Sequence, residues 1–264
     1  MAAPPAHGIP PPETFFLIHP KRTHMKRRNA LTLAISLATA LLAVALLRGC
    51  VVSQLRVTSA HCSPTLECGD RILVSRTYYG LRLPGEAVWG YHRWGTRYPK
   101  KGEWMVFHDP SDRHETEGRR RMCLARCEAL PGDTVWIDPV RRRVLPWRTT
   151  TDAQPLRVPT AGSRIRVTPV NARLLWNTMR IHEQCRVVLL NDTALRFDGQ
   201  RLEYAFFSKP YYWTFSPDGY DSGQFGFVPH TALVGRALCT SYSINTTQPF
   251  FRWLRGSRFF QPLE

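Results

Sequence analysis

Residues 30–47 read ALTLAISLATALLAVALL, a run of 18 residues (47 − 30 + 1) without a charge. At 1.5 Å per residue such a helix reaches about 27 Å, close to the roughly 30 Å hydrocarbon core of a bilayer. Residues 29–48 are therefore expected to form a transmembrane helix. Lys21, Arg22, Lys26, Arg27 and Arg28 precede the run, whereas Arg48 alone follows it closely. That asymmetry sets residues 1–28 in the cytoplasm as a disordered basic tail and the remainder on the extracytoplasmic side. The expectation is a single-pass protein of the cell (inner) membrane with a periplasmic body. A cleaved signal peptide would carry a shorter apolar core and a small-x-small site. Leu47-Arg48-Gly49-Cys50 is a poor site of that kind, and Arg48 also breaks a lipoprotein-like box ending at Cys50. A retained anchor fits better.

Beyond the anchor the pattern is that of strands. Residues 71–75, 104–107, 134–137 and 186–190 are short apolar runs bounded by Gly, Asp and Pro. Pro131-Gly132-Asp133 and Pro217-Asp218-Gly219 read as turns. A helical stripe is expected only near residues 171–182. The fold class is mainly β: one transmembrane helix, then a curled sheet or barrel-like body over residues 52–138 and 206–264, with an inserted subdomain at 139–205. The net charge of +16 comes from 36 Lys+Arg against 20 Asp+Glu. The basic residues are scattered and no helix-turn-helix, zinc-finger or RNA-binding pattern accompanies them, which argues against nucleic acid as a partner. Seven cysteines, an odd number, form no regular disulfide framework.

The segment Thr58-Ser59-Ala60-His61-Cys62-Ser63-Pro64-Thr65-Leu66-Glu67-Cys68-Gly69-Asp70 resembles the nucleophile box of the signal peptidase I family, S-x-S-M-x-P-T-L-x-x-G-D. The line continues through Arg71 to Pro84. Lys101-Gly102-Glu103-Trp104-Met105-Val106-Phe107-His108-Asp109-Pro110 is similar to the second family box. Ala125-Arg126-Cys127-Glu128-Ala129-Leu130-Pro131-Gly132-Asp133 is similar to the third. Asp221-Ser222-Gly223-Gln224-Phe225-Gly226-Phe227-Val228-Pro229, with Val234-Gly235-Arg236-Ala237, is similar to the fourth. Four boxes in family order behind one anchor carry a specificity that no single box has.

The resemblance implies a serine nucleophile deprotonated by a lysine. A hydroxyl attacks only once a base takes its proton, and a lysine serves as that base only when burial lowers its pKa. By position the nucleophile maps to His61 and the base to Ala125, so both halves of the dyad are substituted. Ser59 matches the oxyanion donor. Arg126 and Asp221, with Ser222 beside them, match the support of the site floor, while Gly223 replaces an arginine. Ser63 is the fallback nucleophile. It shares a strand face with His61 but stands about 7 Å along it, as does Ser59. Outside the anchor region the only lysines are Lys100, Lys101 and Lys209, none in an apolar run. His61 acting as a base for Ser59 or Ser63 lacks a recognisable orienting carboxylate.

Cys123 and Cys127 share the face of Ala125 and would offer His61 two thiol partners, but C-x-x-x-C with one His is weak as a zinc pattern, and no metal or other cofactor is expected. His108, His114, His182 and His230 read as polar surface or turn residues. Aromatic residues cluster at 204–215 and 250–260. Sheet packing accounts for most of them, and a surface touching the bilayer for some. The expected partners are membrane lipid and either signal-peptide-bearing precursors or an active signal peptidase. The expected function is that of a pseudo-peptidase. The alternative is an active serine endopeptidase, a signal peptidase with a rewired nucleophile.

Overall fold

The computed structural model describes residues 22–46, 51–57, 66–82, 90–112, 115, 119–139, 143–145, 147–148, 150–217, 219–249 and 252–263. It divides into two units, Met1–Ala45 and Leu46–Glu264. The first unit contains helix α1 (Arg22–Leu46) except for its last residue. Alanine and leucine, both good helix formers, dominate its second half. Leu31, Leu33, Ile35, Leu37 and Leu41 are all exposed. The expected span 29–48 coincides with α1 as far as Leu46. Among the described residues no helix is long and apolar enough to cross a membrane.

The second unit is built from strands. These are β1 (Val52–Arg56), β2 (Asp70–Ser75), β3 (Leu81–Arg82), β4 (Arg93–Trp94), β5 (Trp104–His108) and β6 (Met122–Ala129). They continue with β7 (Thr134–Asp138), β8 (Arg143–Leu145), β9 (Gln154–Arg157) and β10 (Ser163–Arg166). Helix α2 (Ala172–Thr178) runs on as a π-turn over Met179–Glu183. Then come β11 (Val187–Leu190), β12 (Ala194–Phe197), β13 (Gln200–Leu202), β14 (Tyr204–Phe207) and β15 (Tyr211–Phe215). The last elements are α3 (Ser222–Phe225), β16 (Val228–Pro229), β17 (Leu233–Ser243) and β18 (Gln261–Pro262). The strands expected at 71–75, 104–107, 134–137 and 186–190 and the helix expected near 171–182 lie within one or two residues of these elements.

One eight-stranded sheet organises the unit, in the order β1-β2-β17-β5-β6-β15-β16, with β18 added on β17. Its neighbours are antiparallel throughout. Register shifts in β17 between Ala237 and Cys239 and between Thr240 and Tyr242 mark bulges, which increase local twist and help the sheet curl. The sheet buries both faces. On one, Ile72, Val74, Trp104, Val106, Val234 and Ala237 pack together, with Met122 and Leu124 against them. On the other, Met105, Phe107, Ala125, Cys127, Tyr212 and Leu233 pack together. The alternation of side chains along β5 and β6 sorts their residues between these two cores.

Residues 139–205, with β7 before them and the end of β14 after them, form small sheets, β8-β7-β9, β10-β14 and β11-β12-β13, together with α2. Asn171 starts α2 by accepting from the Thr168 backbone N–H at 2.8 Å. Ala172, Leu175 and Met179, spaced by three and four, fall on one buried face. Their core also holds Ala129, Phe207, Tyr211, Trp213 and Phe227 of the flanking strands and loops. Glu183 fixes the end of the π-turn. It accepts from the Ser208 N–H at 2.9 Å, the Ser208 hydroxyl at 2.6 Å and the Tyr211 hydroxyl at 2.7 Å.

Candidate active-site region around Ala125

The four family-like segments become neighbours. Strands β2, β17, β5 and β6 lie side by side in the sheet, and each carries residues of one box. The turn before β2 explains why that box ends in Gly-Asp. Gly69 has φ +96° and sits so close to the Ile244 carbonyl oxygen that a Cβ there would clash with backbone. Asp70, fully buried, accepts from the Glu67 N–H at 2.8 Å and pairs with Arg258 at 2.7 Å. Burial alone would raise the Asp70 pKa. The hydrogen bonds from Arg258, Ser243 and the Glu67 backbone, with the Arg258 charge, outweigh it and hold the carboxyl below its usual range. Gly80 answers a similar demand, with φ +108° and the Gly95 carbonyl against its open side.

Ser59, His61, Cys62 and Ser63 lie outside the described residues. Ala125 does not. It sits in β6 opposite Met105 of β5, at 0% exposure. Tyr79, Phe107, Cys127, Tyr212 and Leu233 belong to the same core, and Cys123 packs against it. The cysteines at 123 and 127 thus share the face of Ala125, as strand alternation predicts. Among the described residues no group of three His, Cys, Asp or Glu side chains is arranged to hold a metal ion.

None of the lysines at 100, 101 and 209 is in this core. Lys101 pairs with Asp133 at 3.0 Å on the surface, and Lys209 donates to the His182 carbonyl oxygen at 2.8 Å. The ionisable groups that do line it are poor bases. Burial first, and then the Glu103 charge, push the Cys127 thiol up to about 12 and the Tyr79 phenol well above its usual value. His230 hydrogen-bonds the Tyr212 hydroxyl at 3.1 Å through Nδ1. Burial, then the Arg93 charge, hold its imidazole down at about 4, so it is neutral but weakly basic at pH 7.

The polar rim is already engaged. Glu103 is buried and accepts from the Tyr78 hydroxyl at 3.1 Å, the Tyr79 hydroxyl at 3.2 Å and the Lys100 N–H at 3.1 Å. Arg236 stands 3.7 Å from it and lies over the Tyr78 ring. This knot joins the first, second and fourth boxes. The sequence shows the acid within its box, but nothing local shows its partners.

The expected support residues are placed as follows. Arg126 points away from Ala125, half exposed, with Nε 3.9 Å from Glu128. Asp221 caps α3, accepting from the Gly223 N–H at 2.9 Å and the Ser216 N–H at 3.3 Å. Ser222 is buried, accepts from the Thr214 N–H at 3.0 Å and stands 2.9 Å from the Thr214 hydroxyl. The histidines require a correction. His108 and His230 are buried at 7% exposure, not surface residues, because β5 is packed on both faces and the His230 ring lies against Tyr212 and Tyr98.

Residues 30–144 match the family model described as "Signal peptidase, peptidase S26". A 92-residue stretch is 37% identical to a protein of Pseudomonas aeruginosa named Signal peptidase I, covering 35% of this chain and 29% of the relative. A protein of the same name from Pseudomonas fluorescens is 36% identical over 92 residues, with the same shares covered. The matched stretch thus spans about three tenths of the length of the curated relatives. Over this region the chain is similar to the signal peptidase I family.

Proposed function

We propose that this chain is a membrane-anchored, signal-peptidase-like protein that binds exported precursors, or partners an active peptidase, without cutting peptide bonds itself. Its body would stand on the extracytoplasmic side, with the apolar run 30–47 as the anchor and the basic residues before that run in the cytoplasm. The observation that carries the reading is Ala125. At the position where the family resemblance sets a general base, a methyl group is sealed in an apolar core with no lysine in it. With His61 in place of the serine, neither the hydroxyl nor the amine needed for acyl transfer stands at its family position. What supports a retained binding role is the survival of the frame: the Gly69-Asp70 turn and the Glu103 knot are fully bonded.

The test uses the full chain in detergent with a secretory precursor carrying an A-x-A site. The precursor should remain uncut over hours, yet be retained by the immobilised protein. Cleavage that disappears in His61→Ala or Ser63→Ala would overturn the reading in favour of a working peptidase with a relocated nucleophile.

A further inference from the structure

His108 ends β5 at 7% exposure, and among the described residues neither of its ring nitrogens has a hydrogen-bond partner. A buried polar group left so is costly, and the ring is not aimed into packed apolar side chains. It lines a cavity of 170 Å³ between the end of β5, the π-turn and the segment after β16.

The other walls of that cavity are basic. Arg82, Arg120 and Lys209 line it, with Asp109 as the acidic member. The Arg82 guanidinium is held over the Tyr91 ring. Asp109 is already engaged from elsewhere, accepting from the Tyr220 hydroxyl at 2.7 Å and pairing with Arg121 at 3.0 Å. Lys209 gives one proton to the His182 carbonyl and keeps two. Three cations against one carboxylate leave the lining at +2 (3 − 1). Burial, followed by the charges of Arg82, Arg120 and Arg76, holds the His108 imidazole at about 3. It is therefore neutral at pH 7 and has one N–H to donate into a positive field.

A cation has nothing to gain from such a wall. A carboxylate would balance half of the charge. A phosphomonoester, at about −1.5 to −2 near neutral pH, balances nearly all of it. The cavity is large enough for a phosphoryl group.

We propose that the cavity beside His108 binds a phosphomonoester group, held by Arg82, Arg120 and Lys209 with the His108 imidazole as a hydrogen-bond donor. The group is either free phosphate or the headgroup of a lipid such as phosphatidic acid.

The experiment follows histidine ring resonances of the full chain, labelled at histidine, in a maltoside detergent. His108→Gln assigns the signal. Inorganic phosphate should shift the His108 resonance saturably, with a midpoint of about 1 mM or below, while chloride at equal ionic strength leaves it in place. Arg120→Ala, on the cavity rim, should weaken the midpoint about tenfold or more without disturbing the core resonances. Phosphatidic acid in the micelle that displaces phosphate identifies the lipid as the source, and phosphate binding that resists it identifies the free ion. No shift with either compound, a midpoint above about 100 mM, or an unchanged midpoint in Arg120→Ala would each overturn the proposal.

Discussion

Ala125 shows what a single side chain can decide. Its methyl group meets Met105 across the ladder and shares a core with Tyr79, Cys127 and Tyr212. A lysine introduced there has no water to solvate its ammonium, so its folded pKa falls below the ordinary value of about 10.4. A group whose charged form is disfavoured by folding destabilises the protein wherever the unfolded chain is protonated. Ala125→Lys should therefore cost about 3 kcal/mol or more at pH 7. The deficit should shrink as pH rises from the lowered folded pKa toward about 10.4, because the unfolded state then loses the same proton. Ala125→Met, of similar length and uncharged, isolates the packing part. Urea midpoints of the two variants at pH 7 and pH 10, each set against the parent, check this. An equal deficit for Lys at both pH values would show that the site is wetter than the structure makes it.

At the scale of elements, the π-turn after α2 depends on one carboxylate. Glu183 gathers Ser208 and Tyr211 and so ties residues 139–205 to the start of β15. Glu183→Ala strands the hydroxyl of a fully buried tyrosine, at a cost of about 1–3 kcal/mol. Glu183→Gln keeps an acceptor and should recover about half of that loss in thermal or urea unfolding. An Ala variant as stable as the parent would remove the carboxylate from the account. Elements of this kind also mark how far the sequence could be read. Strands β2, β5, β7 and β11 were legible, since apolar runs bounded by Gly, Asp and Pro leave little else to form. The two-residue strands β3, β4, β16 and β18 carry no period to detect. His108 was misread because a histidine carries no local mark of burial. The contiguous run Met105-Val106-Phe107 before it was the available sign that this strand has no solvent face. Of the candidate site, the substitutions at 61 and 125 are visible in the chain itself. The Glu103 knot and the basic cavity depend on pairings between distant segments, which no local pattern announces.

Over the whole molecule, the buried tie between Asp70 and Arg258 joins residues 188 positions apart. Arg258 also reaches Glu67 at 3.2 Å, and Arg255 donates to the Cys68 carbonyl at 3.2 Å and pairs with Glu67 at 3.0 Å. Removing one partner of a buried pair leaves the other uncompensated, so Arg258→Ala should cost about 3–5 kcal/mol at pH 7. The pH dependence has a definite sign. The folded Asp70 pKa lies below 3.8. The parent therefore keeps the stability of this pair above about pH 4 and loses it as pH falls through the folded value. In Arg258→Ala the burial effect is no longer outweighed and the carboxyl is pushed up instead, so acid favours its folded state. The gap between parent and variant should narrow between about pH 7 and pH 3 in urea unfolding. A gap that stays constant would show that Arg258 contributes packing alone.

That tie also has a consequence in time. A ribosome delivers Asp70 long before Arg258, and β2 long before its partner β17. In the interval a carboxylate destined for the interior has no guanidinium to meet, and one edge of the sheet stays unclosed. A nascent chain arrested short of Arg258 should remain open to proteases at the turn around residue 69, with completion of that corner waiting for Arg258 to emerge.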